Sequence, residues 1–358
     1  MEITGKSYTA INNDCVEEIK NWPTDSIDLY VTSIPFGNHY EYSPSYNDFG
    51  HNPDDNAFFE QMDYLTPELL RTLKPGRVAA IHVKDRVQFG NVTGMGMPTI
   101  EPFHADCISH FIKHGFAYFG MITVVTDVVR ENNQTYRLGW TEQCKDGTKM
   151  GVGCPEYILL FRKLPTDRTK AYADDRVVKD KADLIRLALR NGASAVAAVA
   201  VKDKADYPLS QWQLDAHAFW RSSGDRNLDP EELARLKMSD RMRRFREYSR
   251  THVYDYDAHA ALSYALEQKD AISKEFMTVP PASTCPDVWD DISRMKTLNT
   301  TQSQRRKQLH VCPLQLDIVE RIINRYSNKG DVVFDPFAGL GTVPMMAVRM
   351  GRKGCGCD

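Results

Sequence analysis

The stretch Asp331-Val-Val-Phe-Asp-Pro-Phe-Ala-Gly-Leu-Gly-Thr342 limits what this chain can fold into more than any other. Val332, Val333 and Phe334 form a short apolar run of the kind needed by a parallel strand buried on both faces. Gly339 and Gly341 follow, where a backbone without Cβ atoms can turn sharply and come close to a ligand. Thr342 to Met350 has the pattern of a helix whose first amides face the same space. Such a turn is a generic cofactor cradle. A tight strand-to-helix turn that holds nothing would read the same way, so the decision rests on the rest of the chain. The Gly-Leu-Gly spacing is not GxGxxG, which disfavours a nicotinamide site.

The remainder alternates in the manner of an α/β protein. Strands are expected at 8–12, 27–32, 77–83, 116–128, 157–161 and at the C-terminus from Gly354, and amphipathic helices at 15–22, 56–73, 104–114 and 311–326. Lys74-Pro-Gly76 reads as a turn, 37–54 as a polar, aromatic lid or substrate loop, and 90–103 as a long glycine-rich loop. Lys84-Asp-Arg86 ends a strand on the site side, as a DNA contact or a solvated turn. The alternation predicts a doubly wound, mostly parallel sheet. It fades after Leu164, giving way to a charged, largely helical pattern that ends near Asp287. Residues 1–164 and 288–358 are therefore expected to be two halves of one domain, with 165–287 inserted. A doubly wound sheet would place a helix after the final strand, so the pattern predicts a chain that is truncated after Asp358 or dispenses with that helix.

Composition narrows the class. With 358 residues and a formal net charge of -3, any nucleic-acid contact must come from local positive charge. No stretch approaches the roughly 18 apolar residues of a membrane span, and Met1-Glu-Ile-Thr-Gly-Lys lacks a signal core. A cytoplasmic protein without membrane partners is expected. The 8 cysteines include no CxxC, so no metal site is expected; Cys355 and Cys357 alternate as small core residues.

Two further segments stand out. Ile27-Asp-Leu-Tyr-Val-Thr32 runs straight into Ser33-Ile-Pro-Phe36, so a strand ends in a small polar residue and proline where open α/β sheets hold ligands. Asp358 closes the last strand, close to the roughly 20-residue spacing after a glycine turn at which an acid meets ribose hydroxyls. Asp335-Pro-Phe-Ala-Gly-Leu-Gly-Thr342 resembles the S-adenosylmethionine motif of DNA amino-methyltransferases. Ser33-Ile-Pro-Phe36 resembles their catalytic tetrapeptide, which is Asp, Asn or Ser, then Pro-Pro, then Tyr or Phe. Asn13 to Tyr30 resembles the family's approach to it, and His310-Val-Cys-Pro-Leu314 a segment upstream of the cofactor motif. The catalytic motif comes first, which is the order of the β class.

The resemblance implies a Rossmann-like fold, S-adenosylmethionine as cofactor and double-stranded DNA as substrate. It implies that Ser33 and the Ile34 carbonyl accept the hydrogens of an exocyclic amine, next to Pro35, while Phe36 stacks on a flipped base. It also implies that Asp335, Phe337, Gly339, Gly341 and Thr342 line the cofactor, that Asp358 holds its ribose and that Asp14 lies near its adenine. Serine in the first position leans toward cytosine N4 over adenine N6. Ile34 departs from the expected proline and forfeits a fixed φ. A homodimer and a cognate restriction endonuclease are further partners of such enzymes. The competing expectations are a DNA-binding protein on a degenerate methyltransferase fold, and an amino-methyltransferase acting on RNA or protein.

The basic run at 235–250, with Arg241, Arg243, Arg244 and Arg246, reads as a phosphate-contacting face or as a solvated one interleaved with acids. Reversing the charge of Arg243 and Arg244 is expected to weaken DNA binding at low salt. An anisotropy titration that finds binding unchanged would assign the run to solvent.

Overall fold

The computed structural model describes residues 2–35, 45–126, 144–149, 154–178, 287–304 and 313–358, with single positions 235, 237 and 240. By its internal contacts the chain divides into two units, Met1–Val178 with Asp287–Asp358, and Lys179–Pro286. All elements below belong to the first.

In chain order, β1 (Glu2–Thr4) and β2 (Tyr8–Ile11) precede α1 (Cys15–Lys20) and β3 (Ile27–Ser33). Next come α2 (Asp55–Thr72), β4 (Leu73–Lys84), β5 (Arg86–Gln88), α3 (Gly90–Thr93), β6 (Thr99–Glu101), α4 (Phe103–Lys113) and β7 (Ala117–Val124). They are followed by β8 (Glu156–Arg162), β9 (Val288–Trp289), α5 (Leu298–Gln304), α6 (Leu316–Tyr326), β10 (Val332–Asp335), α7 (Thr342–Arg349) and β11 (Lys353–Cys357). Among the described residues the main sheet has nine strands in the order β1-β2-β11-β10-β3-β4-β8-β7-β9. Strands β2, β11, β10, β3 and β4 are mutually parallel.

The sheet carries helices on both faces because its central strands alternate between two apolar cores. Tyr30 and Phe334 point into one core with α1, α2 and α4, while Leu29, Val31 and Val333 point into the other with α6 and α7. Helix α2 starts where the Asp54 carboxylate accepts from the Ala57 amide, and it buries Phe58, Met62, Leu65 and Leu69 at helical spacing.

Several sequence expectations need correction. The sheet is mostly parallel, as the alternation predicts, but the alternation does not show that β8 pairs antiparallel with both β4 and β7, and β1 antiparallel with β2. A buried apolar strand carries no mark of its direction; connection length decides that. Lys74-Pro-Gly76 belongs to the extended start of β4. Within 90–103, a short helix and β6, which pairs with the preceding β5, interrupt the expected loop. Lys84-Asp-Arg86 is no solvated turn: the His104 amide donates to Asp85 at 3.1 Å, and buried Arg86 pairs with Asp55 and, at 2.8 Å, with Glu101. Residues 313–315 are not helical, so α6 begins at Leu316. Strand β2, from the other end of the chain, pairs with β11, and the Asp358 amide donates to the Ile11 carbonyl at 3.0 Å.

An ionic cluster ties the N-terminal ends of β3, β4 and β10. Arg77, fully buried, donates to Asp28 at 2.6 Å and to Asp331 at 2.5 Å. Lys74 donates to the same Asp28 oxygen at 2.7 Å, and the other oxygen accepts the Val332 amide at 2.8 Å. Burial pushes the Asp28 carboxyl up, but Lys74, the Val332 amide and Arg77 together outweigh it and hold it below its ordinary range. With a depressed folded pKa, its stabilisation is full at neutral pH and is lost as pH falls through the carboxylate range. Arg77→Met leaves two carboxylates facing each other without their shared cation. It is expected to cost about 3–5 kcal/mol in chemical denaturation at neutral pH, with a smaller deficit in acid; a loss under about 1 kcal/mol would show the cluster to be dispensable.

Candidate active site

The C-terminal ends of the parallel strands open onto a cavity of about 530 Å³, a volume typical of small-molecule sites. Ser33, Ile34 and Pro35 reach it from the end of β3, and Asp335, Phe337, Gly339 and Thr342 from the turn after β10. Asp14 reaches it from the turn after β2, and Asp358 from the end of β11. These residues, far apart in the chain, thus share one wall. Gly341 is not on that wall; it caps α7 with φ 76°, a left-handed conformation that favours glycine. Phe36, Arg241, Arg243, Arg244 and Arg246 lie outside the described residues.

The turn after β10 is held from inside. The Phe337 amide donates to Asp335 Oδ1 at 3.1 Å, the Ala338 amide to the Cys357 carbonyl at 2.9 Å, and the Gly339 amide to Asp358 Oδ1 at 3.1 Å. Helix α7 starts hard against β11: a Cβ on Gly354 would stand 2.1 Å from the Pro344 carbonyl oxygen. That contact explains the glycines alternating with the buried Cys355 and Cys357. Burial pushes the Asp335 carboxyl up to about 7. The Thr32 hydroxyl and the Phe337 amide pull it down, and the nearby Asp358 charge adds to the rise.

Asp14 is a structural hub. One carboxylate oxygen caps α1 by accepting the Val16 amide at 2.8 Å, and the other accepts from Asn47 at 2.7 Å. Asn47 belongs to the polar, aromatic segment after β3, which also brings Ser45, Asp48 and Phe49 to the cavity. Phe49 meets Phe337 edge to face at 5.1 Å. Pro313 and Leu314 line the cavity from the segment before α6. Ile34, where the resemblance expects proline, is 2% exposed and packed in the core. Pro35 after it, the second proline of the expected pattern, still biases its backbone toward extended conformations.

Behind Ser33 runs a line of polar groups. Ser33 Oγ lies 2.9 Å from His82 Nδ1, and His82 Nε2 lies 3.0 Å from Glu156 Oε2. Arg294 grips the Glu156 carboxylate with two nitrogens, one of them at 2.6 Å. Glu156 is almost wholly buried, which pushes its carboxyl up, but His82 and Arg294 outweigh burial and hold it well below the carboxylate range. Sequence reasoning missed His82, Glu156 and Arg294. The signal available was a histidine and a glutamate inside, or at the start of, otherwise apolar strands, Ala79-Ala-Ile-His-Val83 and Glu156-Tyr-Ile-Leu-Leu-Phe161.

Residues 27–358 match the family N6_N4_Mtase, described as DNA methylase. The type II methyltransferase M1.MboII of Moraxella bovis is 30% identical over 121 residues, covering 31% of this chain and 45% of that protein. The type II methyltransferase M.BamHI of Bacillus amyloliquefaciens is 38% identical over 79 residues, or 22% of this chain and 17% of that protein. These matches span less than half the length of each curated relative. The solved PvuII DNA methyltransferase, titled cytosine-N4-specific, superposes with a TM-score of 0.52 at 12% identity, over 99% of this chain and 83% of that one; the likeness is one of fold.

A carboxyl whose folded pKa is raised makes the ligand-free protein most stable below its ordinary pKa and less stable as pH climbs toward 7. Asp335→Asn is therefore expected to raise the Tm of the ligand-free protein at about pH 8 more than at about pH 5. An equal effect at both would mean that the Asp335 carboxyl titrates normally.

Proposed function

The chain belongs to the DNA methylase family, and from that membership we propose that it moves a methyl group from S-adenosylmethionine to the exocyclic amine of a base flipped out of double-stranded DNA, N4 of cytosine or N6 of adenine. One observation carries this reading. Ser33-Ile-Pro and the Asp335–Thr342 turn, which the sequence separates by about 300 residues, wall the same cavity.

The residues present fit the cofactor. The Gly339 and Gly341 turn leaves its backbone open, Phe49 and Phe337 offer an apolar surface, and Asp358 stands exposed at a strand end where a ribose diol can donate to it. Bound there, S-adenosylmethionine would supply an electrophilic methyl group on a sulfonium. The protein's own task is then orientation. The base amine is a poor nucleophile because its lone pair is delocalised into the ring. Acceptors for its two hydrogens let the nitrogen pyramidalise toward the methyl, and Ser33 Oγ and the Ile34 carbonyl serve as those acceptors. Phe36 stacks on the base. Holding reactants in line supplies much of the rate in such a site. Asp14, by anchoring Asn47, positions the segment that covers the cofactor's adenine end.

In this reading the inserted segment 165–287 is the target-recognition part, with Arg241, Arg243, Arg244 and Arg246 on phosphates. The curated relatives are type II methyltransferases, so a cognate restriction endonuclease is the partner this reading implies.

The test is methyl transfer to mixed-sequence DNA, with digestion to nucleosides and mass identification of N6-methyladenine or N4-methylcytosine. Neither product, together with no S-adenosylmethionine binding in calorimetry, would sink the reading. Ser33→Ala is expected to lower turnover on the order of a hundredfold while leaving cofactor affinity nearly unchanged. A loss of cofactor binding instead would put Ser33 in the wrong part of the site.

A further inference from the structure

We propose that His82 is a positioning residue that aims the Ser33 hydroxyl at the substrate amine and receives, through Ser33, the proton that the amine sheds. The proposal rests on the methyl-transfer reading above. It starts from a hydrogen-bond chain of defined polarity.

The polarity follows from the far end. Glu156 is buried and gripped by Arg294, with Lys84 at 3.7 Å, so two cations already balance its charge. An ionised carboxylate only accepts. His82 Nε2, 3.0 Å away, must therefore carry a hydrogen and donate it. With Glu156 already neutralised, the imidazole need not be charged to keep this bond. In the neutral ring Nδ1 is then a bare acceptor. Ser33 Oγ lies 2.9 Å from that nitrogen, so the serine O–H donates into the ring. Ser33 lines the cavity and His82 stands behind it. With its own hydrogen directed backwards, the serine oxygen turns its lone pairs toward the cavity, where an acceptor for an amine hydrogen is required.

The sheet enforces this alignment. Ser33 is level with His82 in the parallel β3–β4 pair, and His82 is level with Ile158 in the antiparallel β4–β8 pair. Glu156 sits two residues along β8 from Ile158, which puts it diagonally across from His82 on one face. Adjacent strands thus hold all three side chains, and rigid elements place a site more accurately than loops do.

The balance during transfer is simple. The nitrogen lone pair forms the N–CH3 bond, and the departing sulfur keeps the electron pair of the broken S–CH3 bond. The amine, now cationic, gives its proton to Ser33 Oγ while the serine hydrogen passes to His82 Nδ1. An imidazolium forms beside Glu156, the serine is regenerated, and the proton later leaves to water. Nothing beyond the proposed reactants is consumed.

Two measurements on the full chain test this. The first reads the tautomer of His82 in the free protein by long-range 15N–1H correlation, with the signal assigned by its loss in His82→Asn. The expected state is a neutral ring protonated at Nε2. Glu156→Gln, whose amide can donate, should populate the Nδ1–H tautomer. A native ring protonated at Nδ1, or a tautomer insensitive to Glu156→Gln, overturns the proposal. The second compares single-turnover methyl transfer in the native chain and in His82→Asn. The asparagine can still accept from Ser33 but is not basic. A rate at least about tenfold lower, with unchanged affinity for S-adenosylmethionine and DNA, supports the relay. An undiminished rate overturns the relay alone, and a native chain that transfers no methyl overturns the reading of function with it.

Discussion

The pairing of β3 with β10 is the interaction on which the rest depends. It joins strands more than 300 residues apart, and the Val332 amide donating to Asp28 seals it across a separation of 304 positions. Arg77, from the neighbouring strand, bridges the acids Asp28 and Asp331 at the starts of the two strands. A buried cation between two buried acids contributes little net energy, because desolvating all three offsets most of their attraction. It does penalise any register in which one acid loses the arginine. With the strand starts pinned, the parallel strands must end on the same edge. Leu29 is level with Val333 and Tyr30 with Phe334, so both strands end at the cavity, which Asp335 and Ser33 line.

The site is then refined by close approach and by buried polarity. Gly354 lets α7 start against β11, and the amides of Phe337, Ala338 and Gly339 are satisfied by Asp335, the Cys357 carbonyl and Asp358. From Ser33 at the cavity, a continuous polar line runs through His82 and Glu156 to Arg294. Buried polar groups persist only when each has its partner, so this line behaves as a unit.

Much of the fold was legible because its signals are local. The apolar run at Val332–Phe334, the glycines at 339 and 341 and the helical spacing of α2 each follow from a few neighbouring residues. The order of the two motifs, set against a known family pattern, then suggested that they share a site. The direction of β8, the β5–β6 ribbon and the buried ion pairs of Arg86 were not legible, because each depends on a partner strand or helix that no pattern along one segment names.

The chain's sequence by itself determined most of the central strands and helices, where the backbone must be glycine, and which two short motifs could carry chemistry. Those properties reside in side-chain periodicity and backbone freedom, which act over a few residues. Only the tertiary structure decided that β2 pairs with β11, that Asp14 caps a helix and anchors Asn47, and that His82 and Glu156 stand behind Ser33. Each of these is a pairing across the sheet or between its loops. A hydrogen bond about 3 Å long is set by where two strands lie, and no pattern along a single strand encodes it.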